Sequence, residues 1–340
     1  MNSIVLFTTD RGESHQQAAL EAAPPEMEVR MLRAPGRAAL KEALADVSFL
    51  ISERSGVIDR DVIAGATNLK LIQRLGSLTF DIDLESAAEA GIAVCYWPVE
   101  NVIRVAEHIV MQMLALTKRL LEVERITLEA SPDWGESRRT DEDTFAYNWS
   151  GRSGIGQLWQ RTVGIIGMGE IGVELARRLQ GFGCEVLYNK RTPLPVHVEK
   201  ELGLTYAESA DLFTRSDFLV NLLPYSKETD MLLDEAKFKQ MKQGAFVVSC
   251  GSGSILDEAA LAETIREGKL AGAALDTFEW EPVRADQPLL ALAKEGYNVL
   301  LTPHTAAGTP PENQSEPARA RDYINIRRYL AGQELLYRLV

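Results

Sequence analysis

The stretch Thr162-Val163-Gly164-Ile165-Ile166-Gly167-Met168-Gly169-Glu170-Ile171-Gly172 constrains the fold more than any other part of the chain. It is followed by Val173, Leu175, Ala176 and Leu179 at helical spacing. An apolar run, glycines at three fixed offsets and then an apolar helical face are the strand, turn and helix of a dinucleotide-binding unit. Each glycine has its own physical task. Gly167 allows a tight turn, Gly169 lets backbone amides approach a pyrophosphate, and Gly172 lets the helix pack closely on the strand. The helix N-terminus then faces the phosphates. Met168, Glu170 and Ile171 lie between the glycines and are cofactor-contact candidates with them.

Such a unit needs further strands and helices around it, and the chain supplies them on both sides. Before it, apolar runs at 4–7, 29–32, 47–52, 69–73 and 92–95 alternate with helical patterns at 13–22, 37–45, 59–64 and 84–90. After it, strands are expected at 185–189, 218–222, 245–249, 271–275 and 299–301. Alternation of this kind means parallel sheets covered on both faces, and a small α/β domain over the first 100 residues. A long apolar helix is expected over 105–129, as a bridge between domains, a subunit contact or a plain core helix. Residues 131–160 show no period but carry Trp134, Phe145, Tyr147, Trp149 and Trp159. Loops of that length are usually functional or disordered. The aromatics argue against disorder, so an arm on a partner subunit or a lid is expected. The segment 317–340 reads as helical.

Composition excludes several functions. The 340 residues include 49 acidic and 36 basic ones, a net charge of −13, and that field disfavours nucleic acid and anionic membrane as partners. An anionic substrate must therefore meet a local positive patch. Cys95, Cys184 and Cys250 lack metal-ligand spacing, so neither a disulfide framework nor a metal site is expected. With no 18-residue apolar span and no signal-like leader, a cytoplasmic protein is expected.

Three further stretches narrow the reading: Gly272-Ala273-Ala274-Leu275-Asp276-Thr277-Phe278-Glu279-Trp280-Glu281-Pro282, Leu301-Thr302-Pro303-His304-Thr305-Ala306-Ala307, and Val105-Ala106-Glu107-His108. With the glycine turn, they make nearly the whole chain resemble the D-isomer-specific 2-hydroxyacid dehydrogenase family. The resemblance implies an α/β protein in which a Rossmann-type doubly wound parallel-sheet domain is inserted into a smaller flavodoxin-like substrate domain. Residues 1–101 with 310–340 would form the substrate domain and residues 102–309 the dinucleotide domain, with a cleft at their interface and a homodimer as the assembly. The implied reaction is hydride transfer between a nicotinamide cofactor and C2 of a 2-hydroxy or 2-oxo acid.

Reducing a ketone requires a proton donor beside the carbonyl oxygen, which histidine suits. His304 resembles the family's acid/base, and Glu281, 23 residues earlier, resembles the carboxylate that holds the imidazolium. His15, His108 and His197 lack such a setting and read as structural or surface residues. Asp276 resembles the family residue near the nicotinamide, Leu223-Pro224 the turn that packs on the cofactor, and Cys250-Gly251 the backbone under the ring.

Two departures concern the substrate. Where the family writes Asn-Thr-Ala-Arg-Gly-Gly-Leu-Val-Asp, this chain has Ser249-Cys250-Gly251-Ser252-Gly253-Ser254-Ile255-Leu256-Asp257, which puts Ser252 in place of the arginine that clamps the substrate carboxylate. A hydroxyl cannot give the bidentate, charge-assisted pair of a guanidinium. Three readings stay open: a compensating cation (Arg54, Arg74 or Arg104), a substrate without a free carboxylate beside its carbonyl, or lost activity that leaves a cofactor-binding sensor or scaffold. Where the family commonly reads Gly-Val-Gly-x-Asp-Asn-Ile-Asp, this chain has Gly76-Ser77-Leu78-Thr79-Phe80-Asp81-Ile82-Asp83. Either the pocket is more hydrophobic, or Leu78 and Phe80 turn into the core. Ser77, Leu78, Thr79, Asn101, Arg104, Arg54 and Ser252 are the substrate-contact candidates.

Cofactor choice is read at the end of the strand after the glycine helix. There Asn189-Lys190-Arg191-Thr192 places Lys190 where an acid would accept the ribose hydroxyls. Cations beside a hydroxyl favour a 2′-phosphate, and the stretch resembles NADP-using hydroxypyruvate and glyoxylate reductases. NADP is expected over NAD.

Overall fold

The computed structural model describes residues 3–308 and 319–340. The chain divides into two units, Met1–Glu100 with Thr309–Val340, and Asn101–Gly308. The expected junction at 309–310 and the expected start of the last helix at 317 lie outside the described residues.

In the first unit, β1 (Ser3–Thr9), β2 (Met27–Arg33), β3 (Phe49–Ser52), β4 (Leu71–Leu75) and β5 (Ala93–Trp97) form one parallel sheet in the order β2-β1-β3-β4-β5. This is the flavodoxin-like order, in which the chain changes direction between the first and third strands. Successive side chains leave a strand on opposite faces. Leu6, Leu50, Ile72 and Val94 accordingly build one core layer, and Val5, Phe7, Ile51 and Leu71 the other. Asp59 and Asp83 start the helices Arg60–Gly65 and Leu84–Glu89 by accepting hydrogen bonds from first-turn amides.

The expected helix over the C-terminus is shorter than its apolar pattern implies. It spans Ile324–Leu330, and Gly332 at φ 65° turns the chain away. The last residues run along β5 instead, with Leu339 N donating to Val94 O at 2.8 Å and Tyr96 N to Tyr337 O at 3.1 Å. Their backbone groups cover an edge strand that would otherwise be open.

The second unit carries β6 (Thr162–Ile166), β7 (Glu185–Asn189), β8 (Leu204–Tyr206), β9 (Phe218–Asn221), β10 (Ala245–Ser249), β11 (Leu270–Leu275) and β12 (Val299–Leu301). They form one parallel sheet in the order β12-β11-β10-β9-β6-β7-β8. It is doubly wound about β6, and ligands of such sheets bind beyond the carboxyl ends of the strands where the winding reverses. The short edge strand β8 has no counterpart among the expected strands, because three residues carry too little pattern to show.

The single helix expected over 105–129 is two helices, Glu100–Lys118 and Leu120–Glu129. Arg119, at φ 51°, separates them, and its side chain is tied to Glu122. Left-handed backbone ends a helix whatever the side-chain pattern. Residues 131–160 hold no helix beyond the short 3-10 turn Pro132–Trp134; Trp134 packs edge-on to Trp149 at 5.9 Å, and Gly156 N donates to Thr117 O at 2.9 Å.

Candidate active site

β6 ends at Ile166, and Gly167 turns the chain at φ 94°. A Cβ there would lie 2.8 Å from both Leu222 C and Leu223 N, so the position also serves a close approach of two backbones. Gly251 does the same from the other side, where a Cβ would meet Leu223 O at 2.8 Å. Leu223-Pro224 is thus held between the glycine turn and the end of β10. That juxtaposition has no signature in sequence. Gly169 precedes the helix Glu170–Gly181, and a Cβ on it would meet no protein atom within 4 Å. Its need for glycine is therefore not internal, and the bare backbone at a helix N-terminus fits a pyrophosphate. Gly172 packs under Met168, whose Sδ would be 2.7 Å from a Cβ. The Met168 side chain is buried, so only its backbone is offered to a cofactor. Glu170 and Ile171 are half-buried in the first turn.

At the end of β7, Asn189 is committed locally: its Nδ2 donates to Ala207 O at 2.8 Å and its carbonyl accepts from Gly167 N. Lys190 is half-buried, and Arg191 and Thr192 are exposed. Tyr188 fixes this turn, because its hydroxyl accepts from Leu194 N and donates to Glu199, each at 2.7 Å.

β11 and β12 carry the remaining groups. Leu275 pairs with Leu301, which sets Asp276 beside Thr302. Asp276, 1% exposed, accepts from Thr302 Oγ1 at 2.6 Å and from Thr305 N at 2.9 Å on one oxygen, and from Ala306 N at 2.9 Å on the other. Expected only as a neighbour of the nicotinamide, Asp276 is seen here gripping the turn that carries His304. His304 itself is at φ 53° with its side chain 59% exposed. Its Nδ1 lies 2.7 Å from Glu281 Oε2, while Glu281 Oε1 accepts from Phe278 N at 3.0 Å. A carboxylate only accepts, so Nδ1 carries a proton and Nε2 is the nitrogen left to exchange one.

Ser252 begins the turn Gly253–Ile255, and its side chain caps none of that turn's amides. Next to it, Gly253 packs backbone to backbone: a Cβ would fall 1.9 Å from Phe278 C. Glu258, buried with its carboxyl pushed up by that burial, accepts from Glu279 N at 3.0 Å and supports the same segment. Cys250 donates to Gln112 Oε1 at 3.4 Å, and burial raises its pKa so that it stays a thiol. Asn101 is exposed, its Oδ1 turned to Val102 N. The Arg104 stem lies against Gly308, 3.1 Å from where a Cβ would be.

The other candidates belong to the first unit, beyond the carboxyl ends of β3 and β4. Arg54 is half-buried at φ 57°, Ser77 and Thr79 are half-buried, and Leu78 is in the core, whereas Phe80 is exposed. Arg74 is fully buried and paired with Asp81 at 2.6 Å, so it braces the 76–83 loop and cannot reach outward. Of the histidines read as structural or surface residues, His15 and His197 are exposed and His108 is structural, drawn into the Asp276 network at 3.1 Å from Thr302 Oγ1. Among the described residues no cluster of His, Cys, Asp or Glu could hold a metal, and no helix is long and apolar enough to cross a membrane.

A glycine turn fitted to a dinucleotide, with a His–Glu pair at the same edge of a doubly wound sheet, is the arrangement of a nicotinamide-dependent oxidoreductase. Comparison with known proteins gives the particular family. Residues 110–306 match the family described as D-isomer specific 2-hydroxyacid dehydrogenase, NAD binding domain. The chain is 34% identical to the glyoxylate reductase of Thermococcus onnurineus (strain NA1), over 80% of this chain and 77% of that one. It is 35% identical to the D-3-phosphoglycerate dehydrogenase of Archaeoglobus fulgidus over 74% of this chain but only 44% of that longer relative. The solved PH0520 protein of Pyrococcus horikoshii OT3 superposes with a TM-score of 0.58 at 29% identity, over 100% of this chain and 95% of that one. The chain belongs to the D-isomer specific 2-hydroxyacid dehydrogenase family.

Proposed function

We propose that the protein is an NADP(H)-dependent reductase of small 2-oxo acids, with His304 as acid/base, Glu281 as its partner and Arg104 as the cation for the substrate carboxylate. The observation that carries this reading is the Glu281 carboxylate, which bridges Phe278 N and His304 Nδ1 and so leaves Nε2 for the substrate. When bound, the nicotinamide supplies or accepts the hydride at C2. His304 gives a proton to the carbonyl oxygen from Nε2, or takes one from the hydroxyl in the reverse direction. Glu281 compensates the ring's positive charge and keeps its tautomer. With Ser252 unable to clamp a carboxylate, Arg104 is favoured because its stem packs four residues beyond His304 in the same unit. Asn101 and Ser252 offer hydrogen bonds to the substrate. The rival reading, a cofactor-binding sensor or scaffold, rests on Ser252 alone.

NADP is favoured by the exposed Arg191 and Thr192 beside Lys190, in a turn whose Asn189 is already committed. Exposed apolar residues on the second unit, among them Leu128, Phe145 and Tyr147, support a homodimer. Three free cysteines suit the reducing cytoplasm.

The test is spectrophotometric oxidation of NADPH and NADH with glyoxylate, hydroxypyruvate and larger 2-oxo acids. We expect turnover with NADPH preferred, a loss of about 10²–10⁴-fold in kcat for His304→Ala, and a shift of preference towards NADH for Lys190→Asp. A wild type that binds NADPH but reduces none of these acids would reject the substrate assignment.

A further inference from the structure

His108 takes no part in the chemistry proposed above, yet its side chain is only 13% exposed and faces the groups that hold His304. Its Nε2 lies 3.1 Å from Thr302 Oγ1 and 3.6 Å from Asp276 Oδ1. The directions of these hydrogen bonds follow from proton counting. Thr302 has one hydroxyl proton, and the acceptor-only carboxylate of Asp276 lies 2.6 Å away, so that proton points to Asp276. The hydroxyl oxygen then has only lone pairs to offer His108, and His108 Nε2 must carry the proton between them. Burial opposes charging of this ring more than Asp276 favours it, which keeps it neutral. The ring is thus the Nε2–H tautomer, and donation runs from His108 to Thr302 to Asp276.

Asp276 holds Thr305 N and Ala306 N, the amides that immediately follow His304, each at 2.9 Å. His304 sits at φ 53°, a backbone region that a residue with a side chain keeps only when its surroundings enforce it. We infer that His108 is a positioning residue for His304: by donating to Thr302 it fixes which way Asp276 is held, and through Asp276 it fixes the turn that aims the His304 ring. The inference rests on His304 being the acid/base.

The chain contains four histidines, of which His15, His197 and His304 are exposed and His108 is half-buried, so ring proton–nitrogen correlation spectra of the full-length protein can follow each one without turnover. We expect the His108 ring to show the Nε2–H tautomer at neutral pH. His108→Leu should move or broaden the His304 ring signals and lower kcat roughly 10- to 100-fold, with NADPH affinity changed less than about twofold. His108→Gln, whose amide can donate in place of the ring, should keep wild-type His304 signals and most of kcat. The Nδ1–H tautomer at His108, or a His108→Leu protein with wild-type His304 signals and kcat, would overturn the assignment. If His108→Leu does not fold, Thr302→Val against Thr302→Ser makes the same comparison, and equal behaviour of these two also overturns it. A wild type without turnover would remove the reductase reading alone, since the spectra still decide whether His108 positions His304.

Discussion

A carboxylate beside a carbonyl must be met by charge, and residue 252 supplies only a hydroxyl. Of the three arginines the sequence offered in compensation, Arg74 is committed within its own unit to Asp81. Arg104 packs on the segment that bears His304. Arg104→Ser should therefore lower kcat/KM for 2-oxo acids by about 2–5 kcal/mol with a smaller effect on NADPH binding, and adding Ser252→Arg should recover part of it. Steady-state kinetics of the single and double variants decide the point: an Arg104→Ser enzyme with unchanged kcat/KM would leave the cation unassigned. At this scale the His304–Glu281 pair was legible, because a Thr-Pro-His turn and a Glu-Pro at a set distance form a pattern along the chain. The grip of Asp276 on residues 305 and 306 was not, since it depends on the register of β11 against β12, and the approach of His108 to Thr302 was hidden for the same reason.

Glycines show how elements meet, and two of them should fail in opposite ways. Gly253→Ala puts a methyl into the backbone at Phe278, just before Glu281, and neither side can yield without moving the loop. We expect a cost of about 3 kcal/mol or more, read as a lower Tm and loss of activity. Gly169→Ala meets no protein atom, so Tm should stay near wild type while dinucleotide affinity falls, as isothermal titration would show. An unchanged affinity would mean that no phosphate lies against Gly169. The glycine turn, its strand and its helix could be read from sequence because their signal is local. The break at Arg119 could not, because apolar spacing runs through 105–129 and only the left-handed backbone of one arginine divides it. The C-terminal tail was likewise hidden, as its pairing partner is β5, more than two hundred residues away.

At the scale of the molecule, Phe145, Tyr147, Trp149 and Trp159 are exposed on residues 131–160, and Leu120, Leu121 and Leu128 on the helix before them. Sedimentation velocity should give a dimer, and Phe145→Ser with Tyr147→Ser should shift it to monomer while each unit's far-UV spectrum is retained. A monomeric wild type at micromolar concentration would leave that surface to another role. Alternating hydrophobic runs, the glycine spacing and the Glu–His motifs determined from sequence alone that the chain is α/β, binds a dinucleotide and belongs among hydroxyacid dehydrogenases. These are properties of neighbours along the chain, or of motifs whose order is itself the signal. Only the tertiary structure decided what Asp276 holds, that Arg74 is unavailable, that Leu223 is clasped by two glycines and that His108 faces the turn of His304. Each of these is set by strand register and close approach, and such contacts join residues that leave no joint pattern in one sequence.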